Sequence, residues 1–188
     1  MAIIKTQLTG ISPLLIHSGT LVEKSMSKKG QDYSDEWKKT LYIGMDGLHL
    51  VIPSMNLDAM LRDAGKGRNI GKQFFSKIIP VNVSIEEFEV PILVEGEKVT
   101  VDDVEINDWL FTCATVVQKK RIMRTRARMP IGWQINFIIN LNDDCVIKPS
   151  VLEEVLVSAG RNVGLCDWRP GAPSPGKFGA FDVTEFAV

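Results

Sequence analysis

Three features of the sequence predict an α+β fold. Two stretches, MNLDAMLRDA after Ser54 and VLEEVLVSAG after Ser150, space their apolar residues as helices do. Alternating or β-branched runs open the chain, fill its middle and close it. Stripped of insertions, the order is β-α-β-β-α-β, the ferredoxin-like (RRM-like) arrangement. That arrangement hosts many functions, so it indicates where ligand contacts can converge and not what they are.

The first strand is read over residues 2–16, bent near Gly10 and Pro13 and closed by His17, Ser18 and Gly19. Residues 20–48 are polar and poorly periodic, with Lys24, Lys28 and Lys29 among Asp32, Asp35 and Glu36, and are read as one long loop. For the first helix, Ser54 is the expected N-cap, Leu57, Met60, Leu61 and Ala64 form the apolar stripe, and Gly65 and Gly67 end it. Residues 74–106 hold the β-type runs FFSKIIPVNVSI, FEVPILVE and KVTVDDVEI, which predict a strand-rich insertion. LFTCATVV and WQINFIINL are read as the two central strands. The latter puts Trp133, Ile135, Phe137, Ile139 and Leu141 on one face. In the second helix, Ser150 and Glu153 fit a capping box, and Leu152, Val155, Leu156 and Ala159 form a stripe that Gly160 is expected to end. A Gly/Pro-rich loop at 160–179 and a last strand, FDVTEFAV, complete one domain spanning 1–188.

A hydrophobic content of 45% and a charged content of 24% are those of an ordinary folded protein. Cys113, Cys145 and Cys166 are widely separated and match no zinc spacing, so free thiols, no metal and no cofactor are expected. MAIIKTQLTG lacks the apolar run of a signal peptide, and no apolar segment is long enough to span a bilayer. A cytoplasmic location without membrane contact follows.

A net charge of −1 does not mark a nucleic-acid binder. Only the local distribution does. Lys119, Lys120, Arg121, Arg124, Arg126 and Arg128 place six cations in ten residues with no acid among them. The whole chain has 22 Lys+Arg against 23 Asp+Glu, so removing these six leaves 16 against 23, a remainder of −7. Guanidinium suits bidentate phosphate contacts and stacking on bases. Residues 118–131 are therefore read as a basic, thumb-like hairpin arm between the central strands. It is expected to project beyond them and to find few partners for its charges. A solvated hairpin tip is the plain alternative.

Three separated segments resemble the RAMP (repeat-associated) superfamily, in particular the backbone subunits of CRISPR effector complexes. SPLLIHSG at 12–19 is similar to that family's strand-plus-glycine opening. LVIPSMNLDAMLRDAGK at 50–66 resembles its IPGSSLKGALR helix start, with Ile52, Pro53, Ser54, Leu57, Leu61 and Arg62 in place and Met55-Asn56 replacing the usual Gly-Ser. The third is the glycine-rich segment from Gly160 to Gly179, here interrupted by Trp168-Arg169-Pro170, Pro173 and Pro175. The resemblance implies a subunit that binds guide RNA and multimerises along it, with the insertion between central strands acting as a thumb. At 188 residues the chain is short for that role, and a stand-alone or phage-encoded relative is the other reading.

Around the arm, the expected nucleic-acid contacts are His17, Ser18, Lys28 and Lys29 after the first strand, and Ser54, Asn56 and Arg62 on the first helix. Arg161, Trp168, Arg169 and Lys177 complete the set near the last strand. Trp168 is either a base-stacking platform or a residue packed beneath its loop. Catalysis has weaker candidates. His17 could serve as a general base. Asp32 and Asp35 lie in the loop where type III backbone subunits carry an aspartate needed for target-RNA cutting. His49 has no obvious partner. The leading expectation is a non-catalytic RNA-binding assembly subunit. An endoribonuclease of the same fold and a sequence-independent single-stranded DNA binder are the rivals.

Overall fold

The computed structural model describes residues 2–19, 36–117, 120–143 and 146–188, with the side chains of 115–117 and 120–122 left aside. Lys28, Lys29, Asp32, Asp35 and Lys119 thus lie outside the described residues, as do the side chains of Lys120 and Arg121.

Strand β1 (Ala2–Gly10) turns Ile4, Thr6 and Leu8 inward through the two-residue period of a pleated strand. After a bend, β2 (Leu14–Ile16) is buried throughout and belongs to a different sheet. A short α1 (Glu36–Lys39) follows, then β3 (Val51–Pro53) running directly into α2 (Ser54–Ala64). The hairpin β4 (Asn69–Ile70) and β5 (Gln73–Phe74) leads to α3 (Phe75–Asn82). Next come β6 (Val83–Ile85), β7 (Glu89–Pro91), β8 (Leu93–Val94), β9 (Glu97–Lys98) and α4 (Val101–Ile106). Strands β10 (Leu110–Val117) and β11 (Lys120–Met129) pair as an antiparallel hairpin. Then β12 (Gln134–Leu141), α5 (Pro149–Asn162) and β13 (Phe181–Ala187) close the chain.

The architecture is mixed α/β with antiparallel sheets. In the larger sheet β13, β1 and β12 lie side by side, and the outer edge of β12 is shared by β6 and by β8-β9. Both helical stripes reach its core as expected: Leu57, Met60 and Leu61 from α2, and Leu152, Val155, Leu156 and Ala159 from α5, join Ile4, Leu8, Ile135, Phe137 and Ile139. The smaller sheet has the order β10-β11-β2, with Ala127–Met129 opposite Leu14–Ile16.

Several sequence expectations are corrected. LFTCATVV is not a strand of the larger sheet; it pairs with the basic segment, which is itself a strand. The neighbour of β12 is instead β6, inside the segment read as an insertion. That segment is less strand-rich than expected. FFSKIIPVN is largely helical, and VDDVEI is a helix capped by Thr100 and Asp103 in a reciprocal capping box. No side chain caps α2 or α5, so neither Ser54 nor Ser150 acts as an N-cap. Gly160 lies inside α5, where an added Cβ would sit 2.0 Å from the Phe181 carbonyl oxygen, so its smallness serves the helix–strand approach. The left-handed position that ends the helix is Gly164, at φ +69°. Residues 36–48, read as loop, place Trp37 and Leu41 in the core.

Candidate nucleic-acid interface

The smaller sheet positions the site. Strand β2 leads into His17, β3 delivers the first turn of α2, and the loop after α5 folds back over both. That loop is held by hydrogen bonds from the Asp167 N–H to the Leu15 carbonyl (2.9 Å) and from the Gly179 N–H to the Pro13 carbonyl (2.8 Å). Gly179 has φ +68°, and a Cβ there would lie 1.9 Å from the Leu165 carbonyl oxygen, so only glycine closes the loop this way. The result is a cleft of about 210 Å³ lined by His17, Tyr42, Asn56, Met60, residues 164–167 and Arg169. Residues more than 100 positions apart in the sequence meet there.

His17 accepts a hydrogen bond at Nδ1 from the Gly19 N–H at 3.0 Å. Its pKa is lowered by burial first, then by the Arg126 and Arg124 cations, against an opposing pull from Asp167. A neutral ring with Nδ1 occupied offers a hydrogen at Nε2 and no free lone pair. It is suited to contacting a ligand oxygen and poorly suited to abstracting a proton.

Arg124, Arg126 and Arg128 of β11 do not project free. Arg126 is buried, 8% exposed, with Nε 2.6 Å from Asp167 Oδ2, and its guanidinium stands 5.2 Å from the Trp168 ring centroid. Arg124 pairs with the buried Glu36 of α1. Arg128 lies 5.9 Å from the Phe111 ring centroid. The expectation that the arm's charges find little to pair with is therefore corrected for these positions. The cause is topological: α1 and the glycine-rich loop each bring one carboxylate against β11.

Trp168 packs against Phe111 and Phe178 at centroid distances of 6.2 and 6.3 Å and stays half-buried. Arg169 reaches Asp63 at 3.4 Å. Burial pushes the Asp63 carboxyl up, but Lys66 and Arg169 outweigh it and hold the pKa below its ordinary value. The Nη1 groups of Arg126 and Arg169 are buried without a hydrogen-bond partner among the described residues, donors that an anion or a water would satisfy.

The other predicted residues lie outside this cleft. Ser18 donates its N–H to the Thr40 carbonyl and Ser54 to the Phe88 carbonyl. Arg62 is exposed on α2 near Asp58, whose pKa is raised by burial and pulled back by Arg62. Arg161 is 3.6 Å from Asp182 on β13. Lys177 is exposed in the loop. His49, read as lacking a partner, contacts Asp46 at 2.6 Å and helps hold that carboxyl below the usual range. Sequence reasoning missed Tyr42, Asp167 and Glu36. Asp167 carried a usable signal, as the lone acid between Arg161 and Lys177.

No protein-family model matches the chain, and no curated protein matches it. Among solved structures, a chain of the type III-B Cmr-beta complex bound to cognate target RNA aligns with a TM-score of 0.63 at 13% identity. The alignment covers 98% of this chain and 59% of that one, so the present chain spans less than two thirds of its neighbour. At this identity the likeness establishes a shared fold. A chain of a type IV-B CRISPR complex aligns with a TM-score of 0.49 at 12% identity, over 97% of this chain and 90% of that one. Among the described residues no helix is long and apolar enough to cross a membrane.

Proposed function

We propose that the chain is a RAMP-type backbone subunit with a role in CRISPR-type defence. It forms one ferredoxin-like domain that binds single-stranded, guide-type RNA through its phosphates and multimerises along it. The sheet neighbours β13, β1, β12 and β6, combined with α2 and α5, support the ferredoxin-like core. The observation that carries the reading is the convergence at one cleft of SPLLIHSG, the α2 start and the glycine-rich loop. Arg169 there keeps a buried donor without a hydrogen-bond partner among the described residues. The neighbour bound to target RNA supports RNA as the ligand class. The bound Nδ1 of His17 favours a binding role over a nuclease role.

The experiment is purification with and without nuclease, followed by titration with single-stranded oligonucleotides. RNase, and not DNase, is expected to release the co-purifying nucleic acid. Arg169→Gln should weaken RNA binding about tenfold, the value of one charge-assisted contact. Equal affinities for variant and wild type would remove the cleft from the interface, and a preference for DNA would favour the single-stranded DNA reading. RNA is expected to stay intact with divalent metals. Cleavage lost in His17→Ala, Asp32→Ala or Asp35→Ala with binding retained would favour the endoribonuclease.

A further inference from the structure

The chain reverses charge at β6. Residues 65–85 carry Lys66, Arg68, Lys72 and Lys77 and no acid, whereas residues 86–108 carry nine Asp and Glu against Lys98 alone. Some of these charges are used internally: Lys66 pairs with Asp63, Arg68 with Glu154 and Glu105 with Lys38. Among the described residues, however, no acid pairs with Lys72 or Lys77, and no cation pairs with Glu86 or Glu87. Their other contacts leave the charges uncompensated: Glu87 accepts from the Ile138 N–H at 3.0 Å, Glu86 from Asn140 Nδ2 at 3.4 Å, and Lys77 Nζ stands 5.7 Å from the Phe74 ring centroid.

Both segments also expose large apolar side chains. Phe74 is 56% and Val81 73% exposed at the rim of a groove of about 520 Å³, which Lys72, Lys77 and Ile78 also line. Phe88 is 82% exposed at the corner between β6 and β7, with Glu86, Glu87 and Glu89 beside it in the sequence. One surface is a basic groove with an apolar lining, and the other is an acidic corner with an apolar tip.

We infer that these two surfaces are the two halves of a contact between copies of this chain. The Glu86–Phe88 corner of one copy seats in the groove of the next, with Phe88 against Phe74, Ile78 and Val81 and with Glu86 and Glu87 facing Lys72 and Lys77. Complementary charge selects this occupant. A nucleic acid would satisfy the lysines but would leave Val81 uncovered and would be repelled by the acidic corner. The surfaces lie at opposite ends of β6 and do not overlap. Each copy can thus give its corner to one neighbour and its groove to another, a heterologous contact that repeats from copy to copy. The inference deepens the proposed multimerisation along RNA and names the surface that performs it.

The test uses nuclease-treated full chain in sedimentation runs over a range of concentration and salt. Wild type is expected to form a concentration-dependent series of oligomers that shrinks at high salt. Phe88→Ala should weaken association about tenfold or more, the value of burying one aromatic side chain. Lys72→Glu/Lys77→Glu and Glu86→Lys/Glu87→Lys should each be monomeric alone, and their mixture should regain the oligomer series, because the acidic corner of the first meets the basic groove of the second and the basic corner of the second meets the acidic groove of the first. Melting temperatures near that of wild type keep misfolding from imitating the result. A wild type that stays monomeric, or variants that assemble like it, would overturn the inference. Affinity for an oligonucleotide too short for two copies is measured in parallel. Its loss in wild type would sink the RNA reading and leave the protein contact standing.

Discussion

Beneath the larger sheet the packing is hydrocarbon and aromatic: Ile4, Leu8, Trp133, Ile135 and Phe181 are fully buried, and Trp133 meets Phe181 edge-on at 6.5 Å. Along β11 in the smaller sheet the chain instead buries charge, Arg124 against Glu36 and Arg126 against Asp167. Apolar burial is non-directional and tolerates imperfect partners. A buried ion pair stabilises only while both members are present, and removing one leaves a charge that water no longer solvates. The larger sheet therefore supplies stability, and the smaller one ties the position of a loop and of α1 to the electrostatic state of a strand. A ligand anion at the cleft would act on the second region and hardly on the first.

The largest expected effect lies in the larger sheet. Trp133→Ala removes a fully buried ring and the hydrogen bond from its Nε1 to the Ser12 carbonyl (2.8 Å). It should cost about 4 kcal/mol in urea unfolding, independent of salt. A loss below about 1 kcal/mol would erase the contrast between the sheets.

Arg126→Met keeps the stem but strands the Asp167 carboxylate, and should cost about 2–3 kcal/mol, reduced from the fully buried case because Asp167 is a quarter exposed. Adding Asp167→Asn should recover about 1 kcal/mol or more, measured as the coupling energy of a double-mutant cycle. Additive losses would mean that the two charges do not support each other.

A smaller effect separates ligand-directed charge from structural charge within the basic segment. For single strands the salt slope is about −0.7 per neutralised phosphate. Changing Lys119, Lys120 and Arg121 together to Ala should flatten the log–log slope by about 2 with little change in melting. Arg124→Gln should change it by less than about 0.7 and lower the melting temperature instead. The reverse pattern in a salt titration would assign phosphate contact to Arg124.

The apolar periodicities were readable because they are local. Leu57, Met60 and Leu61 on α2 and Trp133 through Leu141 on β12 needed only the pitch of their own element. The ion pairs of β11 were not, because Glu36 and Asp167 lie 88 and 41 residues from Arg124 and Arg126 and carry no spacing signal. One of the two central strands was misassigned for a related reason. Val83–Ile85 is only three residues long, too short to alternate visibly, whereas LFTCATVV looks like a central strand and packs in another sheet. Of the candidate site, His17, Asn56 and Arg169 were legible as candidate contacts, the last two at departures from the motifs, and the acids that organise the cleft were not.

The smallest effect concerns His17 and tests the electrostatics of the cleft directly. The imidazole starts from 6.5 in the unfolded chain and is lowered in the fold, first by burial and then by Arg126 and Arg124. Between the folded and unfolded values the unfolded chain holds a proton that the folded chain refuses. Stability should therefore be complete above about pH 6.5, fall as pH drops below it, and level off beneath the folded value. His17→Gln keeps an acceptor for the Gly19 N–H and removes the titration. The wild-type-minus-variant difference in unfolding free energy should then be flat above pH 7 and decline below about pH 6.5. In Arg126→Met the decline should be shallower but still present, because burial outranks either arginine. RNA binding should carry the opposite sign, since a phosphate beside His17 favours the protonated ring and affinity should rise as the pH falls. A difference curve flat from pH 5 to 8 would mean that the His17 ring is solvated in the folded chain.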